Sequence, residues 1–558
     1  VPGVRDVPGV RDVPGVRARA LLTHPATLAA ALVLLAQVPL HAGWLVDPTG
    51  STLANPFHGT HAWAADVVGD ALRAGTWPDP TDRAGFPVPH RARFVAWAVL
   101  LGGVLAGPLI GAVAVVNLSA WLGPALGAAA MVRLVQALEP GASRPGLVLG
   151  GLTYGLAPVG LGAALSGQLE NAQTWVLPLL LLVVVRAAGR WRRAPLVAGV
   201  WLLGALTSPY LGMAAAAAAV WTGLRLGIRR ALPGAVGAVI GVALAGAWLD
   251  AGAYDPSADL FKPSYQATGW PDPWGDPPSV ADLKTLLTGL APLQTKAMVL
   301  HQSYLGLLAG AAALVLGRRR MAWLAPVAIG AVLAMGPELG LDGAPVEVDG
   351  QRLALPAIAA RWLDLPFAHG GQYYRFMAVA WLGWAGMLAT ARLRGAPAAA
   401  LGLLLACDAL RTVAGPGLPW PTVSLPVPAW QAWAEDPIPG GVAHVPAFSP
   451  SLTPNRPVRL AGSAVHDRPV SDMPRAEFVL TDDPDVQTLD RCTRRGEGCP
   501  PPSLSRLGRA GFRYAVLDLP DGPEHTKLRP RLEQAWGAPA GEDAGLVWWT
   551  CPPPAGAP

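Results

Sequence analysis

Charge is scarce in this chain. Asp, Glu, Lys and Arg together make up 14% of its 558 residues, against roughly 25% in an average soluble domain, which excludes a protein that is water-soluble along its whole length. Lysine is nearly missing, occurring only at Lys262, Lys284, Lys296 and Lys527. The net charge of +5 therefore comes almost wholly from arginine. Those arginines stand in short clusters between apolar runs rather than along one basic stripe, so no nucleic-acid partner is expected. There are four cysteines, with no Cys-x-x-Cys and no nearby His pair, so no metal site of the zinc type is expected. Walker loop, nucleophile elbow and His-Glu-x-x-His are all absent, and the missing P-loop argues against a pump driven by its own ATP hydrolysis.

What is present is apolar sequence: 52% of residues, with a mean hydropathy of +0.36. This length accommodates about ten spans of roughly 20 residues and a soluble unit besides. Residues 1–20 open with a tandem VPGVRD repeat, whose regular Pro and Gly deny it helix or sheet; it reads as a disordered tail. The first apolar run, 25–46, lacks a convincing cleavage site and reads as a membrane helix rather than a signal peptide. Arg5, Arg11, Arg17 and Arg19 before it place the N-terminus in the cytoplasm.

The same sidedness repeats along the chain. Arg186, Arg190, Arg192 and Arg193; Arg225, Arg229 and Arg230; Arg318 to Arg320; and Arg392 with Arg394 mark four inner loops that hold no Asp or Glu. The expected fold class is an α-helical polytopic membrane protein of about eleven transmembrane helices. The 94–138 run is read as a re-entrant piece at 92–110 followed by one crossing, or else as three crossings, which makes thirteen. The transmembrane domain covers 21–412, with outer loops at 47–93, 250–296 and 337–372. Of 21 acidic residues before position 413, 17 fall in outer loops. From 413 to 558 the pattern turns to short strands at 441–445, 512–517 and 546–550, alternating with helical stretches near 486–491, 504–510 and 528–535. This predicts a small C-terminal α/β domain outside the cytoplasm, where a disulfide is permitted. Cys492 and Cys499 are one pairing, Cys551 is a competing partner, and Cys407 is expected to be buried in the last span.

Polar residues gather first in the 47–93 loop. It carries Asp47, His58, His61, Trp63, Asp66 and Asp70, and residues 60–74 have the spacing of an amphipathic helix lying on the membrane surface. Asp66 and Asp70 read first as a solvated helix face, and His58 with His61 as a hydrogen-bonded loop pair rather than a metal pair. Glu170 is a sharper candidate, since an acid in the short turn Ser166-Gly167-Gln168-Leu169-Glu170-Asn171 between apolar helices sits where an unpaired charge is costly. Arg375, at the mouth of a helix after Gln372-Tyr373-Tyr374, suits a bidentate phosphate contact or a snorkelling side chain. Tyr373 and Tyr374, like Trp270 and Trp274, suit sugar stacking or an interfacial belt.

Four sets of residues carry a resemblance. They are His58 to Trp63 with Gly75-Thr76-Trp77-Pro78 and Gly85-Phe86-Pro87; Ser166 to Glu170 with Trp175 and Pro178; Ser208-Pro209-Tyr210; and Gly336-Pro337 with Leu365-Pro366-Phe367 and Arg375-Phe376. Together they span most of residues 25–410, and the chain resembles the GT-C superfamily of glycosyltransferases, within it a broad group of bacterial membrane proteins. The resemblance implies an enzyme of the bacterial cytoplasmic membrane that moves a sugar from a polyprenyl-phosphate donor to an acceptor on the outer face. It implies a carboxylate or histidine as base, from Asp66, Asp47, Glu170 or His61, and a donor-binding surface from Arg375, His58, Gln168, Tyr373 and Trp63. A divalent cation or a cationic side chain would stabilise the departing phosphate. Catalytic members place an acid early in the first loop where this chain has His58-Gly59-Thr60-His61. That departure keeps a non-catalytic assembly or scaffold protein in view as the alternative; a lipid or polysaccharide transporter ranks lower, because paired inverted repeats are not evident.

Overall fold

The computed structural model describes residues 24–54, 56–76, 96–251, 280–281, 283–288, 302–342, 344–359, 373–393, 395–414, 417–445, 456–471, 484–494, 499–518, 523–543 and 545–553. The VPGVRD repeats, Trp77, Asp79, Asp82, Gly85-Phe86-Pro87, the segment of Trp270 and Trp274, and Leu365-Pro366-Phe367 lie outside them.

The chain is a helical membrane protein. Among the described residues, five helical segments are long and apolar enough to cross a bilayer: 25–45, 112–138, 144–165, 228–247 and 395–413. Shorter apolar helices accompany them at 97–110, 176–187, 307–316 and 321–334. Helix α1 (Pro25–Leu45) starts where the His24 ring accepts the Ala26 N–H, with Pro25 supplying a pre-set φ. One side of α1 exposes Leu28, Leu32, Leu35 and Val38, a surface suited to lipid. On the other side Gln37 is buried and donates to the carbonyls of Val33 and Trp121.

After strand β1 (Ser51–Leu53) comes α2 (Pro56–Arg73), then α3 (Trp97–Ile110) and α4 (Ala112–Leu138). The break between α3 and α4 is Gly111, with φ of +80°, a value only glycine adopts at little cost. Asn117 on α4 is buried and donates to the carbonyls of Pro48 and Ser51 at 3.1 and 2.8 Å, while its Oδ1 accepts from Thr52. It thereby holds the polar entry of the first loop against an apolar helix.

Next come α5 (Arg144–Gly155), α6 (Pro158–Leu165), the single turn α7 (Leu169–Ala172), α8 (Val176–Ala187), α9 (Ala194–Thr207), α10 (Pro209–Leu226) and α11 (Ile228–Ala251). Beyond them lie α12 (Leu283–Thr288), α13 (Leu307–Leu316), α14 (Leu324–Ala334), the two small hairpins β2 (Gly340–Leu341) with β3 (Ala344–Pro345) and β4 (Glu347–Val348) with β5 (Gln351–Arg352), then α15 (Met377–Ala389) and α16 (Gly395–Val413). Every residue of α15 is buried, which makes it the central helix of the bundle.

The C-terminal part contains β6 (Thr422–Ser424), α17 (Val427–Glu435), β7 (Gly441–Val445), α18 (Arg456–His466), α19 (Pro484–Arg494), α20 (Leu504–Arg509), β8 (Phe512–Leu517), α21 (Pro523–Trp536), β9 (Gly541–Asp543) and β10 (Leu546–Thr550). Its sheet has the order β7-β8-β10-β9, with β7 and β8 parallel and the remaining pairs antiparallel. The three strands foreseen from sequence have the expected bounds. Val486, Leu489, Leu507, Leu528, Leu532 and Trp536 form one core with residues of this sheet. Trp430, Val442, Ala461, Val470 and Val516 instead belong to the core of the membrane helices. Strand β6 pairs antiparallel with β1, Ser51 opposite Ser424, so the first loop and the C-terminal part are joined by backbone as well as by packing.

One detail adds to the sequence reading and one differs. Helix α2 is packed against α3, α4 and α18, because Trp63, Ala65, Val67 and Val68 need cover and glycine lets α3 approach. A Cβ on Gly103 would stand 2.4 Å from the Ala65 carbonyl oxygen. Cys407 is exposed on α16 rather than buried; in a membrane helix the lipid-facing side is as apolar as the interior, so composition did not distinguish them. Cys492 and Cys499 are disulfide-bonded and Cys551 is buried and free.

Candidate functional site

Three of the sequence sets that carry the resemblance meet a fourth at one place. Helix α6 ends at Ser166, whose hydroxyl donates to the Gly162 carbonyl at 2.7 Å. Gly167, with φ of +70°, then turns the chain into α7. This turn presents Glu170 to two other elements. His61 Nε2, from α2, is 3.5 Å from Glu170 Oε2. Arg375 Nη2, from the 3-10 turn Tyr373–Phe376 at the head of α15, is 3.9 Å from Oε1. The Asn171 amide donates to the same Oε1 at 3.1 Å.

The Ser208-Pro209-Tyr210 set closes the site from α10. Ser208 caps the helix by accepting the Leu211 N–H, and its hydroxyl donates to Asn171 Oδ1 at 3.0 Å, which aims the Asn171 amide at Glu170. The Tyr210 ring lies under the Arg375 guanidinium, 4.1 Å from its carbon to the ring centroid, with Tyr374 at 5.9 Å. Gln168 donates to the Tyr374 hydroxyl at 3.2 Å, and Gln302 donates to Ser166 Oγ and Gln168 Oε1 at 3.1 and 3.2 Å. Arg375, Asn171, Ser208 and Gln302 are buried. A charge placed so deeply needs hydrogen bonds or a counter-ion; Glu170 is the counter-ion, and the Tyr210 and Tyr374 rings flank the guanidinium.

The electrostatics follow from that packing. Burial alone would push the Glu170 carboxyl up, but the hydrogen bond with His61 and the charge of Arg375 outweigh it and hold the group below the ordinary carboxylate range. Burial pulls His58 down to about 4, against the bond of its Nε2 to the Ala164 carbonyl at 3.1 Å and with the charge of His61 beside it. His58 is therefore a neutral ring that donates to α6 and fastens α2 to the turn bearing Glu170.

The other sequence candidates lie elsewhere. Asp47 is exposed; its Oδ1 accepts the Gly50 N–H at 2.9 Å and its carbonyl accepts Ser51, so it closes the turn into β1. Trp63 and Tyr373 are buried. Asp66 joins Asp70 and Asp467, one carboxylate oxygen from each lying within 4.8 Å of the others. Among the described residues this is the one group of metal-type side chains, and its hard oxygens suit a divalent cation. Asp70, however, is already paired with Arg73 at 2.6 Å, and the group does not include Glu170, His61 or Arg375. Sequence reasoning missed Gln302 altogether. The only signal was a polar Gln302-Ser303 step just before an apolar run.

No family model matches the sequence, and no curated protein matches it. Solved structures do. The arabinofuranosyltransferase AftD from Mycobacteria superposes over 94% of this chain with a TM-score of 0.50 and 16% identity, and the match covers 41% of AftD. The chain thus spans about two fifths of the length of AftD. The Archaeoglobus fulgidus oligosaccharyltransferase gives 0.45 over 91% of this chain and 71% of its own at 12% identity; its complex with an inhibitory peptide and a dolichol-phosphate gives 0.42 over 88% and 69%. The fold of this chain is therefore GT-C-like, as its motifs implied.

Proposed function

We propose that this protein transfers a sugar from a polyprenyl-phosphate donor to an acceptor hydroxyl at the outer face of a bacterial cytoplasmic membrane. The observation that carries the reading is the convergence of an imidazole, a carboxylate and a buried guanidinium from His61, Glu170 and Arg375, at the ends of apolar helices. Arg375 would hold the lipid phosphate through its in-plane N–H groups. His61 would take the acceptor proton, with Glu170 orienting the ring and stabilising its charge. The acceptor oxygen bonds to the anomeric carbon as the bond from that carbon to the phosphate oxygen breaks, and the phosphate leaves with the electron pair beside Arg375. Eleven crossings, a cytoplasmic N-terminus and an extracytoplasmic C-terminal part belong to the same reading. A cation bound by Asp66, Asp70 and Asp467 would supply charge stabilisation to an anion near α2, and no step here depends on it.

A non-catalytic assembly role is the second reading, favoured by the placement of Asp66 in the Asp70 and Asp467 group and not beside Arg375. Membranes carrying the wild type, His61→Asn, Glu170→Gln or Asp66→Asn, supplied with labelled polyprenyl-phosphate pentoses and hexoses, separate the two. We expect His61→Asn and Glu170→Gln to lose about a hundredfold or more in transfer, with Asp66→Asn close to wild type. Wild-type membranes that transfer none of these sugars would favour assembly.

A further inference from the structure

The Arg375 cation is fixed by rings rather than by its carboxylate. Its side chain is 8% exposed and lies on Tyr210, its Nε has no hydrogen-bond partner among the described residues, and the 3.9 Å to Glu170 Oε1 is too long for a hydrogen bond. Glu170 is fixed independently by Asn171, itself held by Ser208, and faces His61 on its other oxygen. The site thus presents a guanidinium with an unused Nε–H and, beside it, a negative charge that accepts no hydrogen bond from it.

We propose that Glu170 is a charge discriminator, offsetting the preference that Arg375 alone would have for a doubly charged phosphomonoester over a singly charged lipid phosphodiester. This rests on the lipid-phosphate reading above. Arg375 and Glu170 together carry no net charge. A phosphodiester brings one negative charge, whereas a monoester brings about two above its second pKa of roughly 6. Repulsion from a fixed carboxylate scales with the charge of the ligand, so the monoester is penalised about twice as strongly. In the reaction proposed here the donor is the diester and the lipid released is the monoester. The same carboxylate therefore loosens the product more than the substrate, offsetting the opposite preference of a lone arginine.

The test uses the full chain in neutral-lipid nanodiscs at pH 8, with a ten-carbon prenyl phosphate and its methyl diester as probes, read by calorimetry. Glu170→Gln should tighten the monoester about tenfold or more and the diester several-fold less, so the ratio of the two dissociation constants changes. Glu170→Asp, which keeps the charge, should retain the wild-type ratio and guards against loss of fold in the neutral variant. Arg375→Gln should abolish binding of both. An unchanged ratio in Glu170→Gln, or equal weakening of both probes, overturns the discriminator while leaving lipid-phosphate binding intact. Wild-type protein that binds neither probe overturns the lipid-phosphate reading and the discriminator with it.

Discussion

His61 Nε2 lies 3.5 Å from Glu170 Oε2, and through that pair the first-loop helix meets the turn between α6 and α8. Because the Glu170 carboxyl is held below its usual range, the folded state binds its proton less readily than the unfolded state does. The sign is that of a depressed acid: the stabilisation is fully present above the unfolded pKa of about 4.3 and is lost as pH falls through the folded value. We expect the thermal stability of the wild type to exceed that of Glu170→Gln most at neutral pH, with the gap closing below about pH 4.3. Parallel melting curves down to pH 3 would show that the carboxylate is not the ionised partner of His61.

His58 gives a second loss on acidification, in a higher window. Its folded pKa of about 4 lies below the unfolded value of about 6.5, so between the two the unfolded chain carries a proton that the folded chain does not. Stability should then fall as pH is lowered from about 6.5 to 4, by up to about 3 kcal/mol for this residue. His58→Gln keeps an N–H for the Ala164 carbonyl and does not titrate. Melting in detergent at several pH values should give a flatter profile for the variant across that window. An equally steep profile would assign the acid sensitivity to other groups.

Glycine packing makes the site turn sensitive from behind. A Cβ on Gly123 of α4 would stand 2.5 Å from the Ala172 carbonyl oxygen and 3.2 Å from Gln173 Nε2, so Gly123→Ala must displace the turn that bears Glu170. We expect a loss of about 1–3 kcal/mol and a fall in sugar transfer larger than the fall in folded protein. Gly199 in α9 has nothing within 4 Å of its added Cβ, and Gly199→Ala should raise stability by about 0.5–1 kcal/mol through helix propensity. A Gly123→Ala protein as stable and active as the Gly199→Ala control would mean that the turn tolerates the shift.

How much of this was readable in advance depended on which physical signal each element used. Strands β7, β8 and β10 stood out because β-branched and aromatic runs are rare in a chain of Ala, Leu and Gly. Helix α2 stood out through Trp63, Val67 and Ala71 at helical spacing, although it begins at Pro56, earlier than that spacing showed. Glu170 and Arg375 were conspicuous as isolated charges beside apolar runs, and the structure brings them within 3.9 Å. The pairing of β1 with β6 was invisible, since Ser51-Thr52-Leu53 before the second helix says nothing about residues 422–424. So was the turning of Asp66 toward Asp467: periodicity places a residue on a helix face but does not say what packs against it. Among the membrane helices periodicity itself is weak, because the lipid side and the protein side are both apolar, and the outward placement of Cys407 follows from that.

Arg468 ties the end of α18 to the segment after α17 and to the C-terminal sheet, and can be tested on its own. Its Nε donates to the Trp433 carbonyl at 2.7 Å, Nη1 to the Ile438 and Gly440 carbonyls at 2.8 and 3.2 Å, and Nη2 to the Asp436 carbonyl at 2.6 Å, while its guanidinium lies over Tyr514 at 5.5 Å. It follows α18 directly, and α18 is the helix that covers α2. A lysine has three donors on one nitrogen and cannot span four carbonyls, so Arg468→Lys should strand at least one buried acceptor and lower stability by about 1–3 kcal/mol. If α18 fastens α2, the amides of 58–73 should exchange hydrogen faster in this variant than in the wild type, with those of α9 and α10 unchanged. Faster exchange confined to β7, β8 and α18 would mean that the C-terminal part folds over the site without holding it.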